Sequence, residues 1–221
     1  MIPYRLPRLE PDDQTRRASD FYDEMNRRRS VRFFSDEPVP RDLIERAIQT
    51  ASTAPSGAHR QPWTFAVTGN EQVKAQIRAA AEEEEKINYE GGRLPPSWRE
   101  ALEPLGTSWE KPFLQTAPWL VVLFEQRYGM TTDGTRLHHF YVKESCGIAA
   151  GLFIAALHHM GLATLTHTPS PMRFLTTLLG RPANERPFCM FPIGYPAEDC
   201  VVPDLRRKSL DEVMIEVGSS A

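Results

Sequence analysis

At 221 residues the chain is long enough to bury a sizeable core in one domain, and its 26 Lys plus Arg against 29 Asp plus Glu leave a formal charge of −3. No global field drives it onto nucleic acid, so its basic residues act where they cluster. The three cysteines, Cys146, Cys189 and Cys200, have no C-x-x-C spacing, which points away from a disulfide framework or a zinc site and fits a reducing compartment.

The opening Met1-Ile-Pro-Tyr-Arg-Leu-Pro7 has no apolar stretch of the secretory kind, so a cytoplasmic protein with no membrane partner is expected. Residues 1–19, rich in Pro, Arg and Asp without periodicity, read as an extended arm that is either mobile or wrapped on a partner subunit. A domain then fills residues 20–221. Its first helix is expected from Ser19 or Asp20, with Phe21 and Met25 on one face, and it delivers the knot Arg27-Arg28-Arg29-Ser30-Val31-Arg32 at its C-terminal end. Guanidiniums this dense repel one another unless an anion neutralises them, and their planar forks match phosphate. A second knot, Arg206-Arg207-Lys208, lies near the other terminus, where both could converge on one phosphate.

After Pro40, the spacing of Leu43, Ile44, Ala47, Ile48 and Ala51 predicts a second helix. It runs into Ala54-Pro-Ser56-Gly57-Ala58-His59, a loop of small residues that lets a flat ligand approach the backbone. Trp63–Thr68 alternates as a strand, expected to be internal. Residues 70–90 form the next helix, ending in Glu82-Glu83-Glu84-Glu85, where like charges oppose each other and the macrodipole. That end is either solvated or serves a purpose: Glu85 and Tyr89, at i and i+4, share a face suited to a cation. Gly91-Gly92-Arg93-Leu94-Pro95-Pro96 has hinge composition, so a lid is expected over about 82–112.

A helix is expected near 98–105, then a central strand from Pro118 to Glu125, apolar on both faces. Leu137–Met160 reads as one long buried helix; its most apolar run is too short for the roughly 20 residues that span a bilayer. His138-His139 and His158-His159 are adjacent pairs that diverge on a helix, and no metal site is expected. A short strand leads into Thr166-His167-Thr168-Pro169, a helix follows near 174–179, and a strand runs through 188–196. The whole is an α+β layout, a central, mostly antiparallel sheet flanked by helices.

Taken together, Arg28-Arg-Ser-Val-Arg32, Ser56-Gly-Ala58, Glu82–Glu85 with Ile87-Asn-Tyr89, Trp109-Glu-Lys111, Thr166-His-Thr168 and Val202–Lys208 resemble the FMN-dependent nitroreductase superfamily, specifically its iodotyrosine deiodinase branch. The resemblance implies an intertwined homodimer with FMN at two interface sites. It assigns Arg28, Arg29, Ser30, Arg32 and Arg207 to the FMN phosphate and ribityl chain. Ser56, Gly57 and Thr166 are assigned to the flavin, and Thr168 to its N5. It gives the Ala58 backbone to the substrate phenolate, and Glu85, Tyr89 and Lys111 to a halotyrosine zwitterion. A zwitterion needs an acid and a base close together, which this trio supplies. The implied reaction is reductive dehalogenation by one-electron steps, with NAD(P)H or a reductase or flavodoxin-like protein as the electron source. His167 stands where animal members commonly carry a third Thr, and either stacks beside the flavin or adds a proton donor. Two competing readings are a general FMN-dependent nitroreductase or quinone reductase using NAD(P)H, and a flavin-binding sensor without turnover.

Overall fold

In the computed structural model, which describes residues 1–218, helix α1 spans Pro11–Arg27. The expected start at Ser19 or Asp20 is too late. Pro11 opens the helix, where its missing N–H costs nothing, and Asp12 and Asp13 in the first turn suit the positive end of the dipole. The extended arm is thus confined to residues 1–10, with 11–19 helical. None of α1 is buried. It is tied to the body through Glu24, whose carbonyl meets His158 Nε2 at 2.8 Å and whose carboxylate meets His159 Nδ1 at 2.7 Å.

Helix α2, Arg41–Ala51, buries Ile44, Ala47 and Ala51. Strand β1, Trp63–Thr68, is followed by α3, Glu71–Glu90, whose N-terminus is capped by Asn70 accepting from Val73 N–H at 3.1 Å. Next come α4, Pro96–Leu102, and the single turn α5, Phe113–Thr116. Lys74 is 1% exposed, and its Nζ donates at 2.9 Å to the carbonyls of both Gln115 and Ala117. That staple fixes α3 against α5 and the strand beyond it.

Strand β2, Trp119–Gln126, is central. The period-2 geometry of a strand sorts its side chains: Val121 and Leu123 enter the core beneath α2, and Leu120, Val122 and Phe124 enter the core beneath α3. Removing the Phe124 ring would cost about 3–5 kcal/mol, since that residue is fully buried. The sheet order is β1-β2-β6-β5, antiparallel throughout, with β5 at Ala163–Thr164 and β6 at Glu185–Gly194. Helix α7, Arg173–Leu178, packs on the α3 side. Helices therefore cover both faces of the sheet.

Two expectations are corrected here. Among the described residues strand β1 is an edge strand, paired only with β2; Trp63 belongs to the core and Phe65 packs against it, which accounts for the core-like composition without a second neighbour. The long helix expected from Leu137 begins at Val142, as α6, Val142–His159. Residues 136–138 pair instead with Tyr128–Met130 in a hairpin, β3 with β4, and Tyr141 takes a left-handed conformation (φ 49°) that separates hairpin from helix. Among the described residues no helix is long and apolar enough to cross a membrane.

Candidate active site

The Arg knot follows α1 directly, and backbone pairing lays it along the sheet's β5 edge. Ser30 bridges Thr164 in parallel, Val31 N–H donates to Thr164 O at 3.2 Å, and Ser35 N–H donates to Tyr195 O at 2.9 Å. From the far end of the chain, Arg207 donates to Asn26 O at 2.9 Å, Asn26 Oδ1 at 3.0 Å and Arg28 O at 2.6 Å, while Arg29 donates to the Pro203 carbonyl. The two basic clusters are neighbours in space. Burial first, and then Arg207 and Arg29, pull the Arg28 guanidinium below its ordinary pKa, so an anion between them would be stabilised.

Three hollows run in series from this point. The one beside Arg27, Arg28 and Arg29 shares Arg28 and Thr164 with a second, lined by Met25, Ser30, Ile154 and Thr166. The second shares Leu165 and Thr166 with a third, which holds Arg32, Glu85, Tyr89, Lys111, His167 and Thr168. Together they form one trough, cationic at one end, apolar in the middle and of mixed charge at the other.

The mixed end is built on the close of α3. Lys111 is 2% exposed. Its Nζ lies 3.3 Å from Glu85 Oε2, donates to Thr107 Oγ1 at 3.2 Å and to the Ser108 carbonyl, and sits 5.3 Å from the centroid of the Tyr89 ring. The cation facing Glu85 and Tyr89 is thus supplied by the chain itself. Burial lowers the Lys111 pKa, with Glu85 opposing that shift. Burial likewise raises Tyr89, keeping its phenol a hydrogen-bond donor.

The acidic run is not simply solvated. Glu82 accepts from Lys111 N–H at 2.7 Å and Arg78 Nε at 2.8 Å, and Glu84 pairs with Arg93 at 3.2 Å. Three of the four carboxylates, counting Glu85, therefore bind a donor that fastens the helix end to the segment behind it. Sequence reasoning missed Thr107, whose hydroxyl accepts from Lys111 Nζ at 3.2 Å, and Asn88, whose buried amide donates to Ser170 O at 3.0 Å. Asn88 stands inside the Ile-Asn-Tyr motif; nothing in the sequence marked Thr107.

His167 lies between Thr166 and Thr168, fixed by paired backbone bonds to Met190 at 2.8 and 2.9 Å. Alternation turns its ring inward, edge-on to Phe113 at 5.5 Å, while both threonines are exposed.

Of the expected site residues, Ser56, Gly57, Ala58 and Arg207 are not among those lining the trough of their own chain, although Arg207 is bonded to Arg28, which does line it. Ser56, Gly57 and Ala58 belong to a turn with left-handed backbone at Ala58 (φ 49°), His59 (φ 54°) and Gln61 (φ 47°), conformations that non-glycine residues hold only when the surroundings impose them. A Cβ at Gly57 would lie 2.5 Å from the Phe140 carbonyl oxygen, so only glycine fits. Among the described residues there is no cluster of His, Cys, Asp or Glu that could hold a metal ion.

A helix-covered antiparallel sheet with a trough of this charge pattern along its edge defines a nitroreductase-type oxidoreductase. The family model described as Nitroreductase family matches residues 25–195. An iodotyrosine deiodinase of Haliscomenobacter hydrossis is 51% identical over 214 residues, covering 97% of this chain and 96% of that one. Iodotyrosine deiodinase 1 of Homo sapiens is 44% identical over 219 residues, covering 98% of this chain and 75% of that one. A crystal structure of oxidized iodotyrosine deiodinase bound to FMN and 3-iodo-L-tyrosine superposes with a TM-score of 0.78 at 30% identity, covering 90% of this chain and 100% of that one. The chain belongs to the nitroreductase family, in its iodotyrosine deiodinase branch, and is an FMN-dependent oxidoreductase.

The trough fits FMN chemically. A phosphate matches the guanidiniums of Arg28 and Arg29 that line the cationic end, with Arg207 bonded beside them, and a planar ring matches the apolar middle past Ile154 and Thr166.

Proposed function

We propose that this protein is an FMN-dependent reductive dehalogenase of halotyrosines, converting 3-iodotyrosine to tyrosine and iodide by sequential one-electron transfer. The observation that carries this reading is the grouping of Glu85, Tyr89 and Lys111 in the hollow that also holds Thr168. That set matches an α-amino acid. Lys111 takes the carboxylate, Glu85 the ammonium, and Tyr89 bridges them with a phenol that stays protonated.

Bound FMN supplies the electrons. The carbon–iodine bond breaks, a carbon–hydrogen bond forms, and two electrons and one proton are consumed as iodide leaves. Arg28, Arg29, Ser30, Arg32 and Arg207 hold the phosphate and ribityl chain. Ser56, Gly57 and Thr166 line the flavin. The Thr168 hydroxyl would donate toward flavin N5, and the Ala58 N–H would donate to the phenolate oxygen, where charge collects.

A second copy of the chain completes the site in this reading, because Ser56–Ala58 lie outside the trough of their own chain. The exposed Ile148 and the uncovered Gly147 and Gly151 on α6, together with the open edge of β1, offer surface for an intertwined homodimer. Residues 82–112 act as a lid over the amino acid, and NAD(P)H or a reductase or flavodoxin-like protein returns the electrons. Equilibrium titration of the oxidised, FMN-loaded protein tests the reading: 3-iodotyrosine should quench flavin fluorescence saturably, and tyrosine without the halogen should bind more weakly. Flavin fluorescence indifferent to 3-iodotyrosine would contradict it.

A further inference from the structure

Among the described residues, the only buried side-chain nitrogen or oxygen with no hydrogen-bond partner is His167 Nε2. The residue is 7% exposed and sits against the hollow that holds Lys111 and Arg32. Burial is the main reason its pKa is pushed down to about 3, so the ring is neutral at working pH and carries one donor and one acceptor nitrogen. The charged groups that act on it, Lys111 and Arg32, are themselves donors, and neither is bonded to it. With the proton placed on Nε2, the ring's unmet donor lies near two cations, and the partner that suits all three is an anionic oxygen brought in from outside the chain.

We infer that His167 is a specificity-determining residue, donating from Nε2 to the carboxylate of the bound amino acid beside the Lys111 ammonium. This rests on the halotyrosine reading above and adds to it a second carboxylate donor. The site thereby distinguishes an α-amino acid from an amine that carries the same ring. A neutral donor suits the position: a third cation beside Lys111 and Arg32 would repel both, and an apolar residue would leave one carboxylate oxygen without a partner.

The test uses FMN-loaded protein and two probes, 3-iodotyrosine and 3-iodotyramine, which share the ring and ammonium and differ in the carboxylate. Wild type is compared with His167→Leu and His167→Met, which have no donor, and with His167→Gln, whose amide nitrogen reaches the place of Nε2. Both apolar variants should weaken 3-iodotyrosine about tenfold and 3-iodotyramine less than about twofold, as loss of one hydrogen bond to a charged group implies. His167→Gln should restore most of the difference, and turnover should change in KM more than in kcat. Equal loss for both probes, no loss for either, or a Gln variant as poor as the Leu and Met variants would overturn the assignment. Should wild type fail to bind 3-iodotyrosine, the halotyrosine reading falls and this inference falls with it; normal wild-type binding with no selective loss overturns the His167 assignment alone.

Discussion

Lys111 Nζ lies 3.3 Å from Glu85 Oε2, and both side chains are nearly sealed from solvent, at 3% and 13% exposure. The contact ties the acidic end of α3 to the segment after the lid hinge. It also accounts for an acidic run that local energetics disfavour: Glu82 and Glu85 both hold Lys111, one by its backbone N–H and one by its ammonium.

Cutting either side of that pair leaves a buried charge alone. Lys111→Ala is expected to lower stability by about 3 kcal/mol and to weaken 3-iodotyrosine binding on the order of 100-fold, with FMN retained. Glu85→Gln should weaken binding similarly at smaller cost to stability. Thermal melting and ligand titration of the yellow protein check both, and unchanged affinity in both variants would remove the pair from the substrate site.

His167 makes acid stability a second readout. Its folded pKa is pushed down to about 3 by burial, then by Lys111 and Arg32, while an unfolded imidazole titrates near 6.5. Between those values the unfolded state binds more protons, so stability falls as pH falls, by up to about 1.4 kcal/mol per pH unit. Urea midpoints at pH 7, 5.5 and 4.5 should fall less steeply in His167→Thr than in wild type. Parallel curves would show that the imidazole is not buried in its neutral form.

Arg207 joins the termini through three hydrogen bonds, to Asn26 O, Asn26 Oδ1 and Arg28 O. Arg207→Ala should loosen FMN by roughly 10- to 100-fold, read as the flavin fluorescence that appears on dilution. Lys in its place should recover little, because a point charge cannot reproduce the fork. Full FMN retention in Arg207→Ala would place the phosphate elsewhere.

Thr168 is exposed in the trough, free to donate to a bound ring. Thr168→Ala should diminish the radical signal that builds up during anaerobic reductive titration, while Thr168→Ser keeps it. An equal signal in all three proteins would contradict its role.

Much of this was legible from local pattern. The helix expected over 70–90, the two-faced apolar run of β2 and the i, i+4 pairing of Glu85 with Tyr89 are short-range signals, and the structure carries each of them. What escaped depended on neighbours distant in sequence. The aromatic residues of β1 look the same on an edge strand as on an inner one, since the composition reports burial of a face and not the number of paired edges. The hairpin over 128–138 takes residues from an apolar stretch that otherwise continues into α6. Thr107 bonds Lys111 only because the loop after α4 folds back on it. The early start of α1 was readable in Pro11-Asp12-Asp13, but the polar composition of the segment masked it.

Halide release under anaerobic single-turnover conditions tests the central claim most directly. FMN-loaded protein is reduced with dithionite, freed of excess reductant and mixed with 3-iodotyrosine. The account predicts one iodide and one tyrosine per reduced flavin, lost in step in Lys111→Ala. Recovery of intact 3-iodotyrosine, from protein that still reduces nitroarenes rapidly with NAD(P)H, would contradict it.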